Sequence, residues 1–203
     1  MSNHIIGLIL HPGKEWQQIN SEHESVSHLY YHHILGMAAI PVVASFIGTT
    51  QFGWSFGGDE SYKVSIENGI ALGLAFYALM LAAVWIVGSL IHWLAREYPE
   101  RPSRGECVVF AGYTATPMFL AGAVAIYPVF WVCLLALSAA LGYTAYLLYK
   151  GTPRFLGISH DNGFIISGMT LGWGILLLEV MLTVVVMLWS MSSETSIMWS
   201  VFK

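Results

Sequence analysis

Residues 107 to 149 read CVVFAGYTATPMFLAGAVAIYPVFWVCLLALSAALGYTAYLLY, 43 positions without a Lys, Arg, Asp or Glu. A bilayer core of about 30 Å takes roughly 20 apolar residues of helix, so this stretch is too long for one crossing and suits two. The division falls at Tyr127-Pro128. A proline cannot donate to a helix ladder, and aromatic side chains collect at the membrane surface, so Tyr127, Pro128, Phe130 and Trp131 read as a tight interfacial turn.

Working outward, residues 25 to 58 and 68 to 95 carry no charge, and residues 162 to 193 carry only Glu179. The count is therefore five crossings, expected near 29–50, 66–94, 106–126, 129–150 and 163–190. Composition agrees. Of 203 residues, 56% are hydrophobic and 10% charged, with a mean hydropathy of +0.65. A soluble surface needs about a quarter to a third charged side chains. The expected fold is an all-α polytopic membrane protein, a bundle of five transmembrane helices with a short amphipathic N-terminal segment. Its parts are a segment 1–28, a helical domain 29–190 and a tail 191–203.

Eight Lys and Arg stand against 12 Asp and Glu, a net charge of -4, and no concentrated basic face exists for nucleic acid. Cys107 and Cys133 sit in apolar runs as small hydrophobes. With five crossings the ends of the domain lie on opposite sides. Lys14, Arg96, Arg101, Arg104, Lys150 and Arg154 fall on the N-terminal side, and Lys63 and Lys203 on the other. Cytoplasmic loops are enriched in Lys and Arg, so the N-terminus is expected inside and the C-terminus outside. The eight histidines (4, 11, 23, 28, 32, 33, 92 and 160) then all lie at or near the inner face. Ile5 to Leu10 is too short an apolar run for a cleavable leader, so the segment is expected to be retained. Residues 4 to 22 mix Ile5, Ile6, Leu8, Ile9, Trp16 and Ile19 with Lys14, Glu15, Gln17 and Gln18, an interfacial pattern broken at Pro12-Gly13.

The five crossings, the short turn between the third and fourth, and Gly112-Tyr113-Thr114-Ala115-Thr116-Pro117 on the third resemble the YIP (Ypt-interacting protein) domain family, in its short bacterial inner-membrane form. That family carries a Gly-Tyr-x-x-x-Pro-like motif there. Tyr149-Lys150-Gly151-Thr152-Pro153-Arg154-Phe155-Leu156-Gly157-Ile158 is similar to its loop after the fourth helix. The resemblance implies a multi-pass protein of the bacterial inner membrane. Eukaryotic members engage prenylated Rab-type GTPases through a long N-terminal region, often with Asp-Leu-Tyr-Gly-Pro. This chain has neither, so Rab binding does not carry over.

The densest ionisable group is Glu22 to His33. In a helix Glu24, His28 and His32 fall at i, i+4 and i+8, one stripe that suits a divalent metal ion such as zinc. His33, Glu22, His92 or Glu106 would complete the set. The competing reading is an aromatic interfacial belt, with Ser21 and Glu24 as a capping box at the start of the helix. Glu179 lies mid-span and is expected to be neutral inside the bundle, as a proton or cation site or a hydrogen bond to a neighbouring helix. Its expected partner is the polar patch of Tyr113, Thr114 and Thr116, where Pro117 frees the Tyr113 carbonyl. Pro41 does the same for Met37. Gly69-x-x-x-Gly73, Ser138-x-x-x-Gly142 and Gly168-x-x-x-Gly172 are close-contact seams, within the bundle or between copies.

There is no His-Glu-x-x-His, no Gly-x-Ser-x-Gly and no phosphate-binding Gly-rich loop, so no catalytic residues are assigned. Two functions remain. One is a membrane-organising or interaction protein whose partners are the lipid bilayer, a second copy or another membrane protein. The other is a small carrier or channel for a divalent metal or protons.

Overall fold

The computed structural model describes residues 7, 8, 11–22, 24–58, 61–98 and 101–201. The described residues are 86% helical, and among them five helices are long and apolar enough to cross a bilayer. A short helix, α1 (Pro12–Glu22), precedes them. The spans are α2 (Val26–Phe52), α3 (Ile66–Glu97), α4 (Arg104–Ile126), α5 (Phe130–Leu156) and α6 (His160–Val201).

The order around the bundle, which no pattern in the sequence discloses, follows from burial. In α4, 56% of the apolar window is buried, against 6% in α6. The third crossing is thus the central post. It touches α2, α3 and α5, while α6 packs on α3 and α5 at the edge. Helices in lipid gain little from hydrophobic burial against one another, so close backbone approach and interhelical hydrogen bonds must hold them. Both are present. A Cβ on Gly88 of α3 would lie 2.5 Å from Val108 Cα of α4, and one on Gly48 of α2 would lie 2.0 Å from the Ala125 carbonyl oxygen. One on Gly122 of α4 would meet Pro41 Cβ at 2.3 Å. Pro41 is therefore a packing surface as well as a proline inside α2. Tyr30 and Tyr77 exchange bonds across α2 and α3, donating to the carbonyls of Leu81 (2.9 Å) and Leu35 (3.0 Å).

Of the expected seams, Gly69 and Gly73 face α2, through Phe46, Thr50 and Val42. Gly142, Gly168 and Gly172 face outward, with nothing within 4 Å of an added Cβ. The Tyr127-Pro128 turn forms as expected. The loop between α2 and α3 closes over it, since Ser55 N–H donates to the Pro128 carbonyl and Phe130 N–H to that of Ser55.

Three expectations need correction. The helix of residues 129–150 continues to Leu156, so Gly151 to Leu156 is the last helical stretch of α5 and not a loop. It stops at Gly157, whose φ of 61° is a left-handed cap that glycine adopts without strain. The fifth helix runs past 190 to Val201, making the described part of the tail helical. The segment is interrupted where expected, since residues 7 and 8 are helical, His11 is not, and Pro12 begins α1 at a first-turn position where its missing N–H costs nothing. Ser21 donates to the Gln18 carbonyl, and the cap of α2 is Ser25, which accepts from His28 N–H at 3.3 Å. The capping box belongs to Ser103 and Glu106 at the start of α4.

Candidate functional site

The ionisable residues before α2 are brought against the Gly112–Pro117 motif of α4. Ser25 has extended backbone and caps the helix, which sets Glu24 just outside it. The Glu24 side chain is only 12% exposed. It accepts from Tyr113 Oη at 2.7 Å and from His28 Nδ1–H at 2.5 Å. The His28 ring stacks on that of His32, with centroids 4.2 Å apart, and His32 Nδ1–H donates to the His28 carbonyl.

His33 takes another direction. A π-helical turn spans Tyr30–Ile34, and from it His33 is buried, its Nε2 hydrogen-bonded to Thr116 Oγ1 at 3.0 Å and its ring 4.8 Å from that of Tyr113. The motif is thus the seat of α2. An added Cβ on Gly112 would lie 2.8 Å from Leu29 Cδ2 and 2.9 Å from Ile34 Cδ1, so these two side chains of α2 fill the space that the glycine leaves. Tyr113 ties Glu24, and Thr116 ties His33. Pro117 starts the second half of α4 after the helix breaks at Ala115.

Of the expected ligand set, Glu24, His28 and His32 are neighbours on one stripe, and His33 turns away to α4. Among the described residues no three His, Cys, Asp or Glu side chains converge as a metal centre requires. In their hydrogen bonds His28 and His32 use their Nδ1 atoms, and His33 serves α4. The suggested completing groups have other duties. His92 Nδ1–H donates to the Pro102 carbonyl, and Glu106 accepts from Ser103 N–H. The side chain of Glu22, together with His4 and His23, lies outside the described residues.

Glu179 also departs from expectation. It is exposed on α6, which packs on α3 and α5, so it does not meet the patch on α4. Tyr113 is committed to Glu24, and Thr114 donates to the Phe110 carbonyl of its own helix. At helical spacing Gly168, Gly172 and Glu179 share one outward stripe.

Sequence reasoning missed how α1 is held. Trp16 lies 4.6 Å from Phe110, ring to ring, and an added Cβ on Gly151 would be 2.9 Å from the indole. Tyr143 Oη donates to the Leu8 carbonyl. The apolar face of α1, with Trp16 and Ile19 buried, rests on protein and not on lipid alone. The available signal was Gly151, a glycine in an otherwise bulky stretch beside an interface.

Residues 6–181 match the Yip1 domain family. The chain is 53% identical over 187 residues to "Inner membrane protein YohC" of Escherichia coli strain K12, covering 92% of this chain and 96% of that protein. The same figures hold for the protein of that name from Escherichia coli O6:H1, strain CFT073. No solved structure shows significant similarity. A match across most of the chain, with the motif of the third crossing forming the seat of the first, makes this chain a member of the Yip1 domain family.

Proposed function

We propose that the chain is a non-catalytic, multi-pass protein of the bacterial inner membrane, N-terminus cytoplasmic and C-terminus periplasmic, that organises membrane proteins by pairing through α6. The location rests on the relatives named as inner membrane proteins. The orientation rests on the Lys and Arg bias. The observation that carries the function is Glu179, a carboxylate within an apolar span, exposed on the outer face of the bundle in line with Gly168 and Gly172. A carboxylate facing acyl chains is costly, whereas a partner helix laid against the two glycines can reach it and satisfy it.

The first partner to test is a second copy. Gly172→Cys in membranes should give a crosslinked dimer with a short thiol-reactive linker, and Glu179→Leu should reduce its yield. Monomer alone under both conditions would remove self-association. Proteoliposome flux and bound-metal analysis test the reading from the other side. Proton or divalent-ion flux lost on Glu179→Gln, or stoichiometric zinc lost on His28→Ala with His32→Ala, would replace the organising role with transport.

A further inference from the structure

Where α1 meets the end of α5, a groove of about 370 Å³ is lined by His11, Lys14, Tyr146, Lys150 and Arg154. That volume is within the range of small-ligand sites. Two elements supply the charges. Lys150 and Arg154 are one turn apart on α5, and Lys14 stands in the first turn of α1. The Arg154 guanidinium lies against the α1 backbone, since a Cβ on Gly13 would be 3.1 Å from its Nη1. The positive end of the α1 dipole opens into the same space. Among the described residues none of the three cations pairs with a carboxylate. The neighbouring Glu15 is turned to Gly7 instead. The groove is thus a concentration of uncompensated positive charge, held in place by the seating of Trp16 over Gly151.

Depth and surroundings choose the anion. Lys150 is 20 residues along α5 from Phe130, about 30 Å at 1.5 Å per residue, which is one hydrocarbon thickness from the opposite turn. The cations therefore stand at headgroup level. Below them Tyr146, Gly142, Ala139 and Leu135 follow one another on a single exposed face of α5. Nothing lies within 4 Å of an added Cβ at Gly142, and Leu135 is 72% exposed. An apolar track thus leads straight out of a cationic pocket.

We propose that this groove binds the phosphodiester headgroup of an anionic phospholipid, held by Lys14, Lys150 and Arg154, with an acyl chain lying along Tyr146, Gly142 and Leu135. The guanidinium supplies paired donors to phosphate oxygens, and the two ammonium groups supply charge. The proposal requires only that the chain spans the membrane, and it stands or falls independently of pairing through α6.

The test is native mass spectrometry of the purified full chain with phosphatidylglycerol, phosphatidylcholine or inorganic phosphate, folding being followed by tryptophan fluorescence. Retained adducts should favour phosphatidylglycerol over phosphatidylcholine. Lys150→Ala with Arg154→Ala should weaken them by about tenfold or more, and Lys63→Ala, on the opposite face, should leave them unchanged. Lys14→Ala provides a second variant if the double one does not fold. Gly142→Leu should reduce lipid retention by filling the track. Equal retention of the two lipids, or adducts indifferent to Lys150, Arg154 and Lys14, would overturn the site. Displacement of phosphatidylglycerol by millimolar inorganic phosphate, with Gly142→Leu without effect, would overturn the lipid assignment in favour of a soluble phosphate.

Discussion

Removing one oxygen, by Tyr113→Phe, takes from Glu24 the hydroxyl 2.7 Å away and leaves the carboxylate, among the described residues, with His28. A hydrogen bond to a charged, mostly buried group is worth about 1.5–3 kcal/mol. Thermal unfolding in detergent should fall accordingly, and amide exchange should rise first at the start of α2. Unchanged exchange there would mean that Glu24 does not tether the helix. His33→Ala should destabilise comparably, because it leaves Thr116 in the core without its imidazole partner. His32→Ala, at an exposed position, should not. The contrast separates a structural histidine from its neighbour in sequence. Spacing brought Glu24, His28 and His32 onto one stripe, and the structure agrees that they are neighbours. It could not say that Tyr113, 89 residues away, would take the other carboxylate oxygen. Nor could it foresee His33 turning inward, because π-helical turns carry no hydrophobic period of their own.

Helices report their contacts through glycine. Gly88→Leu would drive a side chain into the backbone of Val108 and should cost about 2 kcal/mol or more, read as a lowered unfolding midpoint. An added Cβ at Gly168 meets nothing within 4 Å among the described residues, so Gly168→Leu should leave that midpoint unchanged while lowering crosslinked dimer. A monomer fold equally harmed by both would contradict the outward placement of α6. Trp16→Ala removes the indole over Gly151 and should make trypsin cleave at Lys14 faster than in the native chain in inside-out vesicles. The number of spans was legible because gaps between charges record lipid depth directly. Their partners were not, since small-x-x-x-small spacing marks a face without naming what lies across it. Gly168 and Gly172 fit the pattern and face away, while Gly88 and Gly122 fit none of the three seams read from the sequence and make the close approaches. The ends of α5 and α6 also escaped, because a charge such as Lys150 ends the apolar run without ending the helix.

For the molecule as a whole, the proposed topology, built on five helices long and apolar enough to cross a bilayer, sets the two ends of the bundle in different compartments. Reporter fusions at the N-terminus and in the loop at Gly58 should light up on opposite sides, with the N-terminal one cytoplasmic; a match between the two would dismantle the arrangement of depths. The seating of α1 also has a consequence for synthesis. Trp16 leaves the ribosome 135 residues ahead of Gly151, yet its place is made by Gly151 and Phe110, and Leu8 is tied by Tyr143. At about 5–20 residues per second the chain must grow for roughly ten seconds before that berth exists. Until then the amphipathic stretch has only the membrane surface or a chaperone to shelter its indole. The berth of α1 is therefore completed only by a later helix, and a ribosome stalled between the third and fourth crossings would leave a nascent chain with a greasy stretch unhoused.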